Sequence, residues 1–253
     1  MYKGLTHSLK VLKTCGAKGV KTSFEDEGAH PFNVFKLRNI TRKVGLDLNV
    51  KIGGAEAKTD FKMAMDMDSD GIVAPMIESP FALSKFTSYA KNFDVVRGIN
   101  IESKQGVENL DSILSSEYIK DIDYICIGRS DLAASYNQSV LSPELCEIVT
   151  DTLTKIKTAN IQVCMGGSFD SRSYNFVKFL HENKLLNKVE TRYIIFNMDE
   201  YFIDNFEMSI TEALKFEHEY MNMLYENGRM EIQDFLKRRD TIGERLSQQI
   251  DYR

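Results

Sequence analysis

Short apolar runs alternate with helix-like segments along most of the chain, and this alternation restricts the fold more than any other feature. The apolar runs cover residues 19–28, 48–54, 71–79, 95–103, 123–131, 161–167 and 191–199. Each run ends in a turn, after which apolar residues recur at helical spacing. Strict alternation of strand and helix predicts parallel strands that are joined by helical crossovers.

The runs favour a closed barrel over an open sheet. They are continuously apolar, as expected for strands that helices cover on both faces. Their number is close to eight, and no G-x-G-x-x-G motif follows the first run. No linker rich in Pro, Gly or Ser interrupts the series. We therefore predict one α/β domain over residues 1–253, a TIM-type (β/α)8 barrel with parallel strands. Its eighth strand is either the segment MYKGLT (1–6) or missing.

Composition restricts the partners and the compartment. The net charge is −5 and no basic run reaches five residues, so neither nucleic acid nor an anionic membrane is expected as a partner. No apolar stretch approaches the ~20 residues of a membrane span. The N-terminal segment lacks the apolar region of a signal peptide, and the four cysteines are scattered. We expect a cytoplasmic protein with reduced cysteines.

Polar residues collect where the predicted strands end. In a barrel the C-terminal ends of the strands meet at one mouth, where active sites lie. The mouth is therefore predicted to contain Glu25, Asp26, Glu27, Lys51, Glu78, Asn100, Glu102, Arg129, Ser130, Asp131, Ser168, Asn197 and Asp199. Ordinary solvation of strand ends accounts for some of these residues, such as Ser168 and Asp199.

Glu102 and Asp131 end consecutive predicted strands. A carboxylate at the end of an apolar run such as INIES is costly unless it is paired or binds a metal. Neighbouring strands lie ~4.8 Å apart, so two carboxylates at equivalent heights can share one hard cation. Oxygen-only ligation favours Mg²⁺ or Mn²⁺, and the four histidines are isolated from one another. The residues alone leave open a metal site or a pair of unrelated surface carboxylates.

Two motifs, INIESKQGVENLDSIL (99–114) and DYICIGRSDLAAS (123–135), follow each other along the chain. Together with APMIES, VKIGG and SFEDEG, they resemble the HpcH/HpaI aldolase and citrate lyase β-chain superfamily. The resemblance runs in order over residues 19–135 and is weaker at both ends. It implies a TIM barrel with lyase activity.

The resemblance assigns roles to several strand-end residues. Glu102 and Asp131 match the two metal-ligating carboxylates of the family, so Mg²⁺ or Mn²⁺ is the implied cofactor. The backbone amides of Ser130 and Asp131 match those that bind the carboxylate of a 2-oxo acid, and Gly128 permits the bend before them. Lys51 matches a strand-end arginine that stabilises the oxyanion of an enolate, with a Schiff base on Lys51 as the alternative.

Further contacts in the substrate site are implied for three residues. Asn100 falls where the aldolases often have glutamine. Arg129 replaces a residue that is often proline, and it either reaches a second anionic group of the substrate or forms a surface ion pair. Glu78 is expected to orient Lys51 without itself contacting the substrate.

The first strand departs from the family pattern. Gly28 stands where the aldolases have a histidine base, and His30 follows two residues later. Glu25, Asp26 or Glu27 is expected to act as the base instead, because crowding raises the pKa of at least one carboxyl in an acidic cluster. The other interpretation is an acidic loop that caps the next helix.

The predicted function follows from these roles. It is that of a metal-dependent carbon–carbon lyase of the class II aldolase type, which acts through the enolate of a pyruvate-like 2-oxo acid and takes an aldehyde as the second substrate. The first alternative is citrate-lyase-like cleavage of an acyl-CoA or acyl-carrier thioester. The second is a non-catalytic barrel that serves as a binding or assembly subunit.

The segment 205–253 is long for a final barrel helix. Proteins that resemble this one often exchange C-terminal helices between subunits. We therefore expect this helical extension to make the contacts of a homo-oligomer, a trimer or a hexamer.

Overall fold

The computed structural model describes residues 2–25, 27–226, 228 and 231–250. Within these ranges, eight strands close into a barrel in chain order. The strands are β1 (Ala17–Ser23), β2 (Asp47–Lys51), β3 (Gly71–Ala74), β4 (Val96–Ile101), β5 (Tyr124–Gly128), β6 (Gln162–Gly166), β7 (Lys188–Glu190) and β8 (Ile194–Asn197). The predicted TIM-type barrel is confirmed.

The strand that the apolar pattern does not predict is β7, which has three residues and one aliphatic side chain, Val189. The other seven strands overlap the predicted runs, with β1 and β2 beginning one or two residues earlier. The assignment of MYKGLT to a strand is wrong, because its described residues lie in the helix Tyr2–Thr14. Leu5, Leu9 and Leu12 recur there at helical spacing and are buried in the core, which favours a helix at this place.

β8 runs antiparallel to both of its neighbours, whereas the other neighbouring strands are parallel. The prediction of parallel strands is therefore wrong for β8. Only residues 191–193 connect β7 to β8, and a parallel crossover needs a dozen or more residues. The resulting hairpin places 191–193 at the mouth. Asn197 pairs with Lys188 at the start of β7, so Asn197 and Asp199 lie at the end of the barrel opposite the mouth.

Helices surround the barrel on its outer face. The α-helices of the described ranges are α1 (Tyr2–Thr14), α2 (Pro31–Val44), α3 (Lys58–Asp66), α4 (Pro80–Ala90), α5 (Lys104–Glu108), α6 (Leu110–Leu114), α7 (Arg129–Tyr136), α8 (Pro143–Thr158), α9 (Tyr174–Glu182), α10 (Glu200–Asp204), α11 (Phe206–Glu226) and α12 (Ile232–Ile250). Proline begins α2, α4 and α8, and the side chain before it, His30, Ser79 or Ser142, caps the helix. Among these helices, none is both long and apolar enough to cross a membrane.

The reversed direction of β8 decides where the C-terminal helices lie. The chain leaves β8 at the end opposite the mouth, and α11 brings it back beside α1. Ser209, near the start of α11, donates to the Cys15 carbonyl at 3.0 Å. Glu219, near the end of α11, accepts a hydrogen bond from Ser8. The chain therefore returns to the mouth end of the barrel, where α12 begins.

α12 crosses the mouth and is held there by residues that follow two different strands. Arg238 donates to Glu27, after β1, at 2.7 Å. Arg245 donates to Ser168 Oγ, after β6, at 3.1 Å. The C-terminal helices thus pack on the barrel of their own chain. The homo-oligomer, and its contacts through 205–253, stay predictions.

The interior of the barrel is partly polar. Lys21 forms an ion pair with Glu190 at 2.7 Å, and Asn49 donates to the Tyr124 hydroxyl at 3.4 Å. The Tyr124 ring fits because Gly98 faces it: a Cβ on this glycine would lie 2.4 Å from Tyr124 Cζ. Buried polar groups are costly unless they have partners, and these pairs supply them below the mouth.

Candidate active site

A cavity opens at the C-terminal ends of β1, β2, β4, β5, β6 and β7, beneath α12, and is called the mouth cavity below. Its lining residues are Lys21, Thr22, Ser23, Glu27, Lys51, Asn100, Glu102, Cys126, Gly128, Ser130, Asp131, Gly166, Gly167, Ser168, Thr191, Arg192 and Arg245. Active sites of (β/α)8 barrels lie at this face.

The mouth cavity brings together most of the predicted site residues. Those that line it are Glu27, Lys51, Asn100, Glu102, Gly128, Ser130 and Asp131. Glu25 and Glu78 lie outside the lining. Arg129 is completely buried, and Asp26 lies outside the described residues.

The Glu102 carboxylate is held in a fixed orientation directly after β4. The residue is 3% exposed, and its Oε1 accepts a hydrogen bond from the Met76 amide at 3.1 Å. Its Oε2 accepts one from Asn100 Nδ2 at 2.9 Å. Met76 has a φ of 51°, a left-handed conformation that is uncommon for methionine. Unusual backbone of this kind collects at functional sites.

The pKa of the Glu102 carboxyl is raised. Burial is the main cause. The positive charge of Lys51 opposes this effect and lowers the pKa in part, while the negative charge of Asp131 raises it further. A buried carboxylate in such surroundings is stabilised by additional positive charge, so the Glu102 environment favours a cation.

Asp131 supplies the second carboxylate, in the first turn of α7. It lines the mouth cavity and makes neither a hydrogen bond nor an ion pair with any described residue. The donor set of Glu102 and Asp131 consists of oxygen atoms alone, and each Glu102 oxygen keeps a lone pair beyond its one hydrogen bond. These residues fit a hard divalent cation such as Mg²⁺ or Mn²⁺.

The start of α7 has backbone amides of the kind that bind anions. No side chain caps this helix N-terminus, and the first amides of a helix have no partner within the helix. Ser130, in the first turn, lines the cavity, and its hydroxyl lies 3.0 Å from Ser168 Oγ. The predicted role for the Ser130 and Asp131 amides, which is to bind a carboxylate, is compatible with this geometry.

Gly128 is needed for a different reason from the predicted bend. Its φ is −83°, which any residue can adopt, so the bend does not require glycine. A Cβ at this position would lie 2.4 Å from Glu102 Oε2 and 2.7 Å from Glu102 Cβ. The glycine therefore makes room for the Glu102 side chain.

We expect Gly128→Ala to displace Glu102. The free energy of unfolding should fall by ~1–3 kcal/mol, the usual effect of overpacking, and Mn²⁺ affinity should fall with it. Urea unfolding and calorimetric Mn²⁺ titration measure the two effects. Gly54→Ala is the control, because a Cβ at Gly54 has no atom within 4 Å. Equal stability and Mn²⁺ affinity in the two variants would contradict the role assigned to Gly128.

Arg129 has neither of its predicted roles. Its guanidinium lies 4.2 Å from the centroid of the Phe169 ring, and its Nη2 donates to the Gly167 carbonyl at 3.0 Å. Burial lowers its pKa to about 10. The predicted contacts with a second anionic group or in a surface ion pair are wrong, because the aromatic face and carbonyl groups after β6 keep the side chain inside. Arg129 supports the loop that lines one side of the cavity.

Lys51 ends β2 and lines the cavity, close enough to Glu102 for its charge to lower the Glu102 pKa. Glu78 accepts a hydrogen bond from the Ser103 hydroxyl, and its backbone carbonyl accepts one from Asn109 at 2.7 Å. Its expected role in orienting Lys51 stays a prediction.

Of the described acidic residues after β1, Glu27 makes contacts with other parts of the protein. The Glu27 side chain is 6% exposed. It accepts hydrogen bonds from Arg192 at 2.6 Å and from the Tyr193 hydroxyl at 2.6 Å, in addition to the bond from Arg238. Glu25 is exposed. Neither glutamate caps the next helix, so that interpretation is wrong for both.

His30 caps α2 instead, by accepting a hydrogen bond from the Phe32 amide at 3.2 Å. It does not line the mouth cavity, and no histidine does among the residues that the structure describes. The position that the aldolases fill with a histidine base is Gly28, and His30 does not take its place.

A second group of possible metal ligands lies inside the barrel. Ligand atoms of Cys126, Cys164 and Glu190 lie within 4.8 Å of one another. However, Glu190 Oε2 already binds Lys21, and burial raises the pKa of the Cys164 thiol well above its ordinary value. A metal here must displace the Lys21 ammonium and the thiol protons. The carboxylates of the mouth cavity therefore fit a divalent cation better.

Residues 49–172 match the model of the HpcH/HpaI aldolase/citrate lyase family. The matched stretch covers 124 of the 253 residues, and over it the chain is similar to that family. The resemblance predicted from the motifs is confirmed, and the family name denotes carbon–carbon lyases. No curated protein matches the chain.

Solved structures of two HpcH/HpaI proteins and of a citrate synthase have the same fold at low sequence identity. A family protein from Burkholderia cenocepacia J2315 is 16% identical with a TM-score of 0.59, over 74% of this chain and 82% of that chain. The aldolase from Desulfitobacterium hafniense DCB-2 is 13% identical with a TM-score of 0.57, over 68% and 75%. Citrate synthase SbnG is 15% identical with a TM-score of 0.61, over 74% and 81%. At such identities the likeness shows the fold alone.

The HpcH/HpaI match ends before two arginines of the mouth cavity, Arg192 and Arg245. The sequence did not single out either one. Arg192 lies in an apolar run that predicts a strand, and Arg245 lies on a charged helix, where arginine usually marks a solvated surface. No local signal identifies them, because the β7–β8 hairpin and the path of α12 bring them to the cavity.

Proposed function

We propose that the chain is a divalent-metal-dependent carbon–carbon lyase, which acts through the enolate of a pyruvate-like 2-oxo acid. The observation that carries the proposal is the convergence of Glu102, Asp131 and Lys51 in the mouth cavity. The match of residues 49–172 to the HpcH/HpaI aldolase/citrate lyase model supports lyase chemistry at this place.

Each residue has a defined part in the proposed reaction. Glu102 and Asp131 would hold Mg²⁺ or Mn²⁺, which when bound supplies Lewis-acid polarisation of the substrate. The Ser130 and Asp131 amides at the start of α7 bind the substrate carboxylate. Asn100 fixes the Glu102 carboxylate through its hydrogen bond. The cavity thereby positions the 2-oxo acid before any bond is broken.

Lys51 stabilises the charge that develops during the reaction. In the cleavage direction, the C4 hydroxyl loses its proton and becomes the aldehyde carbonyl as the C3–C4 bond breaks, and the electron pair of that bond passes through C2 to the keto oxygen. The Lys51 ammonium then faces an oxyanion that the ground state lacks. A proton added at C3 completes the 2-oxo acid, and the reverse sequence gives condensation. The engagement of Glu27 with Arg192, Tyr193 and Arg238 argues against this carboxylate as the general base.

Deuterium exchange at C3 of pyruvate tests this function. In D₂O with Mg²⁺ or Mn²⁺ we expect the protein to catalyse exchange, and chelation of the metal should stop it. Assays for pyruvate release from aldol donors and for cleavage of an acyl-CoA then distinguish the aldolase from the citrate-lyase-like alternative. Metal binding without exchange, but with thioester cleavage, would favour the latter. No metal binding and no turnover would favour a non-catalytic barrel.

A further inference from the structure

We propose that Arg245 determines substrate specificity by binding a second anionic group, carboxylate or phosphate, at the end of the 2-oxo acid remote from Glu102 and Asp131. The inference rests on the proposed function, because it names the substrate class of the same cavity. It predicts a dianionic oxo acid as the preferred ligand.

Arg245 presents an uncompensated positive charge to the cavity. It is half-buried, lines the cavity and donates from Nη2 to Ser168 Oγ at 3.1 Å. It forms no ion pair within the described ranges of the chain. A guanidinium carries five N–H donors and prefers planar anionic acceptors such as carboxylate and phosphate. A neutral hydroxyl satisfies only a small part of that capacity.

The other arginines at the mouth are compensated by carboxylates. Arg192 and Arg238 both contact Glu27, at 2.6 Å and 2.7 Å. Burial raises the pKa of Glu217, and the charges of Arg192 and then of Arg245 lower it in part. Its ion pair is with Arg192, at 3.4 Å. Arg245 is thus the arginine of this group that remains available for a ligand.

The position of Arg245 indicates which part of the ligand it meets. Ser168 Oγ joins Arg245 to Ser130 Oγ, at 3.1 Å and 3.0 Å, so Arg245 lies two hydrogen bonds from the start of α7. Glu102 lies deep in the cavity, whereas α12 covers it from the solvent side. A ligand that is anchored at Glu102 and Asp131 therefore points its far end toward Arg245.

Arg245 is held in place before any ligand binds. Ile242, one helical turn earlier, is 1% exposed. The Gln248 carbonyl, one turn later, accepts a hydrogen bond from Ser171 at 2.9 Å. Fixing a binding group in advance reduces the entropy lost on association. The geometry of α12 thus favours a defined anion contact over an adaptable one.

Calorimetric titration with matched ligands tests the proposal. In the presence of Mg²⁺, the wild type is titrated with 2-oxoglutarate and with 2-oxopentanoate, which has the same chain length but one charge less. We expect the dianion to bind at least about tenfold more tightly, as a charge-assisted hydrogen bond predicts. Phosphonopyruvate against oxaloacetate, which carries a carboxylate in the same place, shows whether a phosphate-type group is preferred to a carboxylate.

Variants assign the preference to Arg245. Arg245→Gln should abolish the preference while leaving 2-oxopentanoate affinity unchanged, and Arg245→Lys should keep part of it. Arg239→Gln, an exposed change on the same helix where Arg239 pairs with Asp240, should behave as wild type. Thermal unfolding of each variant checks that the fold is retained.

Three results would overturn the proposal. The first is equal binding of the two ligands by the wild type. The second is an equal loss for both ligands in Arg245→Gln, which would assign Arg245 to the shared carboxylate. In either of these two cases the proposed function stands. The third result is that no 2-oxo acid binds in the presence of metal, and then the proposed function fails together with the proposal.

Discussion

Glu102→Gln and Asp131→Asn are expected to remove Mn²⁺ and Mg²⁺ binding while the barrel stays folded. Each substitution replaces a ligating carboxylate with a neutral amide. The affinity should fall by more than the ~10–100-fold that loss of a supporting contact typically costs. Calorimetric Mn²⁺ titration measures the change. Glu117→Gln is the matched control, since Glu117 is exposed and lies outside the cavity lining.

Urea unfolding of the variants distinguishes a loss of metal binding from a loss of the fold. The raised pKa of Glu102 means that the charged form is less favourable in the folded than in the unfolded chain. This cost is present at neutral pH, above the unfolded-state pKa, and disappears as the pH falls and Glu102 is protonated. Glu102→Gln should therefore unfold at an equal or higher urea concentration than wild type at neutral pH. Unchanged Mn²⁺ affinity in both metal-site variants would disprove the metal assignment.

Lys51→Met is expected to slow metal-dependent C3 exchange of pyruvate by ~10²–10³, the usual effect of removing one preorganised electrostatic contact. Substrate affinity should change much less, because the charge that Lys51 faces develops only in the transition state. Lys51→Arg keeps the charge and should retain much of the activity. Lys18→Met, an exposed change on β1, is the control.

The same variants separate enolate stabilisation from Schiff-base chemistry. A Schiff base would be trapped on Lys51 by borohydride with pyruvate, and mass spectrometry would detect the adduct. In that case Lys51→Arg would be as inactive as Lys51→Met. Exchange that continues undiminished in Lys51→Met, with no adduct in the wild type, would remove Lys51 from the mechanism.

Local patterns were sufficient for the parts of the protein that depend on local interactions. Continuous apolar runs predicted seven strands correctly, because burial on both faces acts on each strand separately. β7 was not predicted, because a strand of three residues is too short to form a recognisable apolar run. The strand-end carboxylates Glu102 and Asp131 stood out because a charge after an apolar run needs a partner or a cation.

Contacts between distant parts of the chain decided the rest. The sequence predicts Arg129 to be a cation at a strand end, whereas in the structure Phe169 and the carbonyl groups after β6 enclose it. The sequence predicts Glu27 to be a candidate base, whereas in the structure its carboxylate accepts hydrogen bonds from arginines of the β7–β8 hairpin and of α12. Neither outcome can be obtained from the residues near these positions in the sequence.

The sequence by itself determined the barrel and the pair of carboxylates at its mouth, since strand burial and the cost of an unpaired charge are properties of short segments. Only the tertiary structure decided the direction of β8, and with it the path of α11 and α12. Because β8 ends opposite the mouth, α11 carries the chain back and α12 brings Arg245 over the cavity. The position of a side chain more than 100 residues from Asp131 in sequence depends on this topology, which no local pattern records.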